Sequence, residues 1–237
     1  MLKLGSRLSD LISDLVLTTV NVIEVESLAS RFTRVRLQSP AFEQARWTPG
    51  DKLQFRVKPG SVDLRTYTPI NWDAEQGITD LIAFDHGQGP GARWFDQAVG
   101  GDVCEVFGPS RSIDLSDTTS QVVFIGDETS IALAQALRQI NPAARFLFET
   151  EDPYSLHSAL TALDFPESEV MVKSEDRHAL LESTREAGEE FGEAFDLVVS
   201  GDAATVSAAR RANRSWEHLT PRIKARAYWA KGRTGLS

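Results

Sequence analysis

Up to about residue 120 the apolar positions of this chain recur with a period of two, and beyond it short apolar runs alternate with stretches of helical period. The first part predicts strands over 19–27, 33–38, 52–57, 64–69, 79–85 and 103–107. They are punctuated by Pro49-Gly50-Asp51, Pro59-Gly60-Ser61 and Gly100-Gly101-Asp102. Six short, evenly spaced strands predict a small antiparallel barrel. The second part predicts a strand over 121–125 with a helix from about 129 to 139, a strand over 144–149 with a helix over 154–162, and a strand over 195–200 with a helix over 203–214. That alternation implies a parallel sheet wrapped by crossover helices. The expected division is therefore an amphipathic helix over 1–18, an all-β domain over 19–117 and an α/β domain over 118–237.

The first segment places Leu2, Leu4, Leu8, Leu11, Ile12 and Leu15 among Ser6, Ser9, Asp10, Ser13 and Asp14. This pattern is too interrupted for a signal-peptide core or a membrane span, and membrane insertion is not expected. The chain has 237 residues, 41% of them hydrophobic, with 25 basic and 34 acidic residues for a formal charge of −9. An acidic surface argues against a nucleic-acid partner. The charge is uneven, however. From Val206 onward Arg210, Arg211, Arg214, Arg222, Lys224, Arg226, Lys231 and Arg233 face the single acid Glu217. Either an anion is received there, or these bases offset the acidic cluster of Glu182, Glu186, Glu189, Glu190 and Glu193. Cys104 is the only cysteine, so no intramolecular disulfide or cysteine zinc cage can form, and a reducing, cytoplasmic location follows most easily. The four histidines are scattered, and no protein-bound metal is expected.

Candidate chemistry begins at Arg65-Thr66-Tyr67-Thr68-Pro69. Side chains two apart on a strand share a face, so Arg65 can take a phosphate while the Tyr67 ring covers a flat heterocycle. Thr66 and Thr68 face the other way unless Pro69 turns Thr68 back; an ordinary strand with an ion-paired arginine is the alternative. In an open α/β sheet, ligands sit beyond the carboxyl ends of the strands. There Gly126-Asp127-Glu128-Thr129 opens a helix N-terminus that can cradle a phosphate, with Asp127 or Thr129 as a helix cap the plainer role. Ser200-Gly201-Asp202 forms a similar turn, and two such turns can flank one dinucleotide. His86-Gly87-Gln88-Gly89-Pro90-Gly91-Ala92 suggests amides around a phosphate, or else a glycine-rich hairpin loop.

Together these residues resemble the siderophore-interacting protein family of FAD-dependent ferric-siderophore reductases, a branch of the ferredoxin-reductase-like flavoproteins. The similarity runs over 19–235. It is carried by Pro49-Gly50-Asp51, Arg65-Thr66-Tyr67-Thr68, His86-Gly87 with Gly89-Pro90 and Trp94, Gly126-Asp127-Glu128-Thr129, and Tyr228-Trp229 with Gly232. The resemblance implies a six-stranded antiparallel flavin-binding β-barrel followed by a Rossmann-like NAD(P)H-binding domain with a basic C-terminal segment. It implies that Arg65 binds the FAD pyrophosphate, Tyr67 stacks on the isoalloxazine, Thr68 lies near its reactive nitrogen, His86 lines the flavin, and Gly91-Ala92 offer amides to its phosphates. Gly126, Asp127, Glu128 and Thr129 would border NADH or NADPH, and Trp229 would fold back toward the active site. Relatives usually carry alanine and a small hydroxyl residue where this chain has Gly91 and Ala92. They tend to carry tryptophan and Ala-Gly-Glu where it has Val198 to Asp202. Acids Glu149 and Glu151 after the second α/β strand lean toward NADH. The cofactor carries the chemistry, so no catalytic side chain is expected. A ferric siderophore is the expected substrate, steered by Lys231 and Arg233, with ferredoxin an alternative donor and the chain a monomer or weak oligomer. Two rivals remain, a ferredoxin- or flavodoxin-reductase-type electron-transfer protein and a non-catalytic siderophore carrier.

Overall fold

The computed structural model describes residues 17–56, 64–87, 89–165 and 167–233. Residues 1–16 of the expected N-terminal helix, the Pro59-Gly60-Ser61 turn, Val57 and Gln88 lie outside them, and Thr18, expected at the helix end, opens a strand instead. Two compact units emerge, one holding residues up to Ser27 together with Arg31–Arg111, the other Leu28–Ser30 together with Ser112 onward.

The first unit is an antiparallel sheet of seven strands: β1 (Thr18–Ala29), β2 (Phe32–Gln38), β3 (Lys52–Arg56), β4 (Leu64–Tyr67), β5 (Ile70–Asp73), β6 (Ile78–Phe84) and β7 (Val103–Ser110), in the order β4-β3-β7-β1-β2-β6-β5. Alternating residues point inward, and Val20, Val22, Val35, Leu37, Leu53, Phe55, Leu81 and Val106 meet in one core closed by Phe42 and Phe95. Phe42 comes from the short helix α1 (Pro40–Gln44), which Ser39 caps, and Phe95 from α2 (Pro90–Gln97). The seventh strand, β5, corrects the expected count of six. Only four residues long, it pairs with β6 through an irregular register, and Asn71 takes a positive φ of 51° that brings its amide 2.8 Å from Asp80. Asp80 is fully buried and also receives Nε and Nη2 of Arg36, its partner across β2 and β6, at 2.8 and 3.1 Å. Such a strand is held by a polar knot, which hydrophobic alternation does not reveal.

The second unit has a five-stranded parallel sheet: β8 (Val122–Gly126), β9 (Arg145–Thr150), β10 (Glu169–Val172), β11 (Asp196–Asp202) and β12 (Arg222–Trp229), in the order β10-β9-β8-β11-β12. Crossovers run through α3 (Ile131–Ile140), α4 (Pro153–Ala162), α5 (His178–Phe191) and α6 (Ala203–Ala212). β8 and β11 are buried throughout, as strands covered on both faces must be. One face packs Val123, Ile125, Leu147, Leu197 and Val199 against Leu180, Ala187, Val206 and Ala209. Elsewhere Phe124, Phe146, Phe148 and Phe165 form a contiguous aromatic group. Strand order reverses direction around β8, so the crevice that binds ligands in such sheets lies at its carboxyl end beside β11.

Two of the eight bases in the C-terminal segment prove to be structural. Arg222 pairs with Asp196 and Asp117, and Lys224 with Asp117. The α5 acids find other partners: Glu182 and Glu189 bind Arg185, and Glu190 binds Arg145. Among the described residues no helix is long and apolar enough to cross a membrane.

Candidate functional site

In the first unit, β4 pairs with β3 so that Tyr67 stands opposite Leu53 and Arg65 opposite Phe55. Thr66, on the other face, is exposed, and Thr68 just beyond the strand is buried. The Tyr67 ring lies 4.8 Å from that of Phe95, and Phe55 meets it edge-on at 6.4 Å. Burial pushes its phenol above the ordinary range while Arg65 pulls the other way, so the hydroxyl stays protonated.

The loop after β6 delivers α2 to the same place. The Gly87 amide donates to Asp85 Oδ1 at 2.7 Å, and Gly89, at φ 152°, starts the helix close against His86, which is exposed. Pro90 then occupies the first helical position, so Gly91 and Ala92 supply the first amides that precede the helical ladder. Gly91 is buried, and a Cβ there would stand 2.8 Å from the Tyr67 hydroxyl and 3.4 Å from Cγ of Arg65. Arg65, the ring of Tyr67 and the N-terminus of α2 therefore converge. The Arg65 guanidinium donates Nη1 to the Leu64 carbonyl at 3.0 Å. An arginine whose side-chain stem packs against the first turn of a helix makes a candidate anion site, and an adjoining ring suits a flat group. FAD, with its pyrophosphate and isoalloxazine, fits that donor set.

In the second unit, the two turns singled out in the sequence meet. Gly126 is small because a Cβ would lie 2.7 Å from that of Ser130. Asp127 follows, buried to 1% exposure, and its carboxylate is wholly engaged. Oδ1 accepts the Thr129 amide at 2.9 Å and the Thr129 hydroxyl at 2.6 Å; Oδ2 accepts the Asp202 amide at 2.9 Å and the Trp229 indole N–H at 2.7 Å. Burial still raises its pKa, those bonds only opposing the rise. Gly201, at φ 99°, passes directly over this carboxylate, 2.5 Å from where a Cβ would sit. Asp127 thus joins the ends of β8, β11 and β12. What it offers a ligand is the turn it builds, not its side chain. Glu128 accepts the hydroxyl of Thr150 at the end of β9, and burial raises its pKa too.

Trp229 lies opposite Asp202, where the register between β11 and β12 slips by one residue. Beyond its bond to Asp127, it carries the Lys173 ammonium 4.6 Å over its ring. Lys173 follows β10 and also reaches Asp202 at 3.0 Å, as does Arg177 at 2.9 Å. Burial opposes ionisation of Asp202, but the Ala204 amide and these cations outweigh it and hold its pKa down. Glu149 is 1% exposed and accepts the Thr205 hydroxyl; burial raises its pKa. It is therefore enclosed rather than presented to a ribose, which corrects its expected role. Lys173, Arg177 and Thr205 escaped the sequence reading, because no spacing links them to Asp202. Past Trp229, Lys231 and Arg233 are exposed in a turn closed by the Arg233 amide on the Ala230 carbonyl at 3.1 Å.

Residues 56–113 match the family model of the siderophore-interacting FAD-binding domain. That segment contains β4, the His86 loop and α2, so the convergence described above falls within the siderophore-interacting FAD-binding match. Among solved structures, the siderophore-interacting protein SipS from Aeromonas hydrophila is similar over 92% of this chain and 93% of its own, at 20% identity and a TM-score of 0.73. A siderophore utilization protein from T. fusca is similar over 93% and 95%, at 20% identity and a TM-score of 0.67. Phthalate dioxygenase reductase is similar over 90% of this chain and 69% of its own, at 17% identity and a TM-score of 0.66. The resemblance found in the sequence is borne out, and the fold is that of ferredoxin-reductase-like flavoproteins. No curated protein sequence matches the chain. Among the described residues no three His, Cys, Asp or Glu side chains gather as a metal site. Cys104 is buried, and burial with Asp102 and Glu105 nearby pushes its thiol up to about 12, so it is inert.

Proposed function

We propose that the protein is an FAD-dependent ferric-siderophore reductase of the cytoplasm, drawing hydride from NADH or NADPH. The observation that carries this reading is the convergence of Arg65, the Tyr67 ring and the Gly91-Ala92 amides within the matched segment. When bound, FAD supplies hydride acceptance and single-electron delivery to Fe(III). Arg65 and the α2 amides hold its pyrophosphate, Tyr67 orients its ring, and Thr68 and His86 border it. On the second unit the turns Gly126–Thr129 and Gly201-Asp202 receive the dinucleotide, with Trp229 beside them. Iron is substrate, leaving as Fe(II) because hard oxygen ligands hold it less tightly. Lys231 and Arg233, exposed and without an ion pair among the described residues, attract anionic ferric chelates.

The similarity to phthalate dioxygenase reductase, whose structure is described as one for electron transfer from pyridine nucleotides to [2Fe-2S], favours a second reading in which the acceptor is a protein. An anaerobic spectrum separates the two. Purified protein should show flavin bands that bleach with a reduced nicotinamide nucleotide and return on adding a ferric siderophore. Neutralising Lys231 and Arg233 should raise the KM for an anionic chelate several-fold and leave that for a neutral one unchanged. A colourless protein that takes up no FAD sinks the proposal; reoxidation by a [2Fe-2S] protein but not by ferric chelates favours the second reading.

A further inference from the structure

NADPH differs from NADH by one phosphate on the adenosine ribose, and sites that accept it place a cation there, whereas sites for NADH place a carboxylate against the ribose hydroxyls. With the pyrophosphate at the Gly126 turn, the adenosine half of a dinucleotide extends toward the loops that follow β9 and β10. Those loops hold two cations, Lys173 and Arg177, and both face inward. Lys173 Nζ lies 3.0 Å from Asp202 Oδ2, 3.8 Å from Glu149 Oε1 and 4.6 Å over the ring of Trp229. Arg177 donates Nη2 to Asp202 at 2.9 Å, Nη1 to the Glu175 carbonyl at 2.6 Å and Nε to Thr205 Oγ1 at 3.3 Å, with Glu149 Oε2 3.8 Å away. The two side chains are 13% and 14% exposed.

Drawing either cation outward would leave buried acids uncompensated, a costly state. Glu149 shows how little compensation there is to spare: it is 1% exposed, and its Oε2 already lacks a hydrogen-bond partner. What the same loops expose instead are Glu151, Asp152, Glu175 and Asp176. Asp176 accepts the His178 amide and the Ser174 hydroxyl, which keep it ionised. A phosphate of nearly two negative charges would meet acids where it needs bases.

We infer that the electron donor is NADH, with NADPH rejected because Lys173 and Arg177 serve as internal counter-ions of Glu149 and Asp202. The inference rests on the reductase reading above. Anaerobic reduction of the FAD-loaded protein should show kcat/KM at least about tenfold higher for NADH, the equivalent of some 1.4 kcal/mol. Calorimetric titration with ADP-ribose and 2′-phospho-ADP-ribose should rank them in the same order, with no turnover involved. Glu151→Arg combined with Glu175→Arg, both exposed positions, should shift both ratios toward the phosphorylated ligand. Lys173→Met should lower both ligands' affinities alike. A loss confined to 2′-phospho-ADP-ribose in Lys173→Met, or a wild type that prefers NADPH or treats the two alike, overturns this inference and leaves the reductase reading standing. Reduction by neither nucleotide, with binding of neither probe, overturns both.

Discussion

A methyl group added at residue 91 has no free space, since the Tyr67 hydroxyl and Arg65 Cγ are already within 2.8 and 3.4 Å of its position. Gly91→Ala should therefore destabilise the protein by about 1–3 kcal/mol, as overpacking commonly does, and reduce the flavin retained on purification. Urea unfolding checks the first effect and the visible spectrum the second. In a Tyr67→Phe background, which removes the closest clashing atom, the cost of Gly91→Ala should largely disappear; an unchanged cost would refute this account of the contact. Arg65, Tyr67 and Gly91 were each legible in the sequence as candidates. Gly91 stood out there as a source of backbone amides and as a departure from relatives, but not for its lack of a side chain. Its reason became visible once the fold set α2 against β4, because the constraint comes from a side chain 24 positions away.

Three strand ends depend on one carboxylate. Asp127→Ala would strand the Thr129 and Asp202 amides and the Trp229 indole N–H without their acceptor. Each buried donor left unsatisfied costs about 1–3 kcal/mol, so a loss of several kcal/mol is expected in chemical unfolding. At denaturant concentrations where the variant is still folded, its tryptophan emission should shift, and the shift should be absent when Trp229→Phe is the background. A shift that persists there would place the effect on another tryptophan. The turns at the ends of β8 and β11 were legible because glycine followed by aspartate after a β-branched run has few other uses. Strands β10 and β12 were not. The first has only four residues, and the second alternates Arg222, Lys224 and Arg226 with apolar residues in a segment that stood out for its basic charge rather than as a strand. Their partners Asp117 and Asp196 lie 26 to 107 positions away and leave no local trace.

Over the whole molecule, two sets of acids set the response to pH. Asp127, Glu128 and Glu149 have pKa values raised by burial, so they bind protons more readily folded than unfolded. Their contribution to stability is fully present below their unfolded values of 3.8 to 4.5 and is lost as pH rises through their elevated folded values. Asp196 and Asp202 behave oppositely. Burial disfavours their charge, but Arg222 and the Thr119 amide for one, and the Ala204 amide and Lys173 for the other, hold their pKa values down. Their contribution is present above 3.8 and lost as pH falls through the lower folded values. Melting temperature should rise as pH drops through the elevated folded values of the first set, by about 2–4 °C for each kcal/mol gained, and decline below about 4. A monotonic fall from pH 8 downward would contradict the assignment of the first set.

The last strand also shapes how molecules of this protein meet one another. β12 borders the parallel sheet, and a bordering strand leaves backbone donors and acceptors on which another chain can build. Here that border carries Arg222, Lys224 and Arg226 along eight residues, with Lys231 and Arg233 just beyond. Two such borders brought side by side would align like charges, so these arginines and lysines discourage the sheet from extending into a neighbour. Exchanging them for neutral residues would invite self-association.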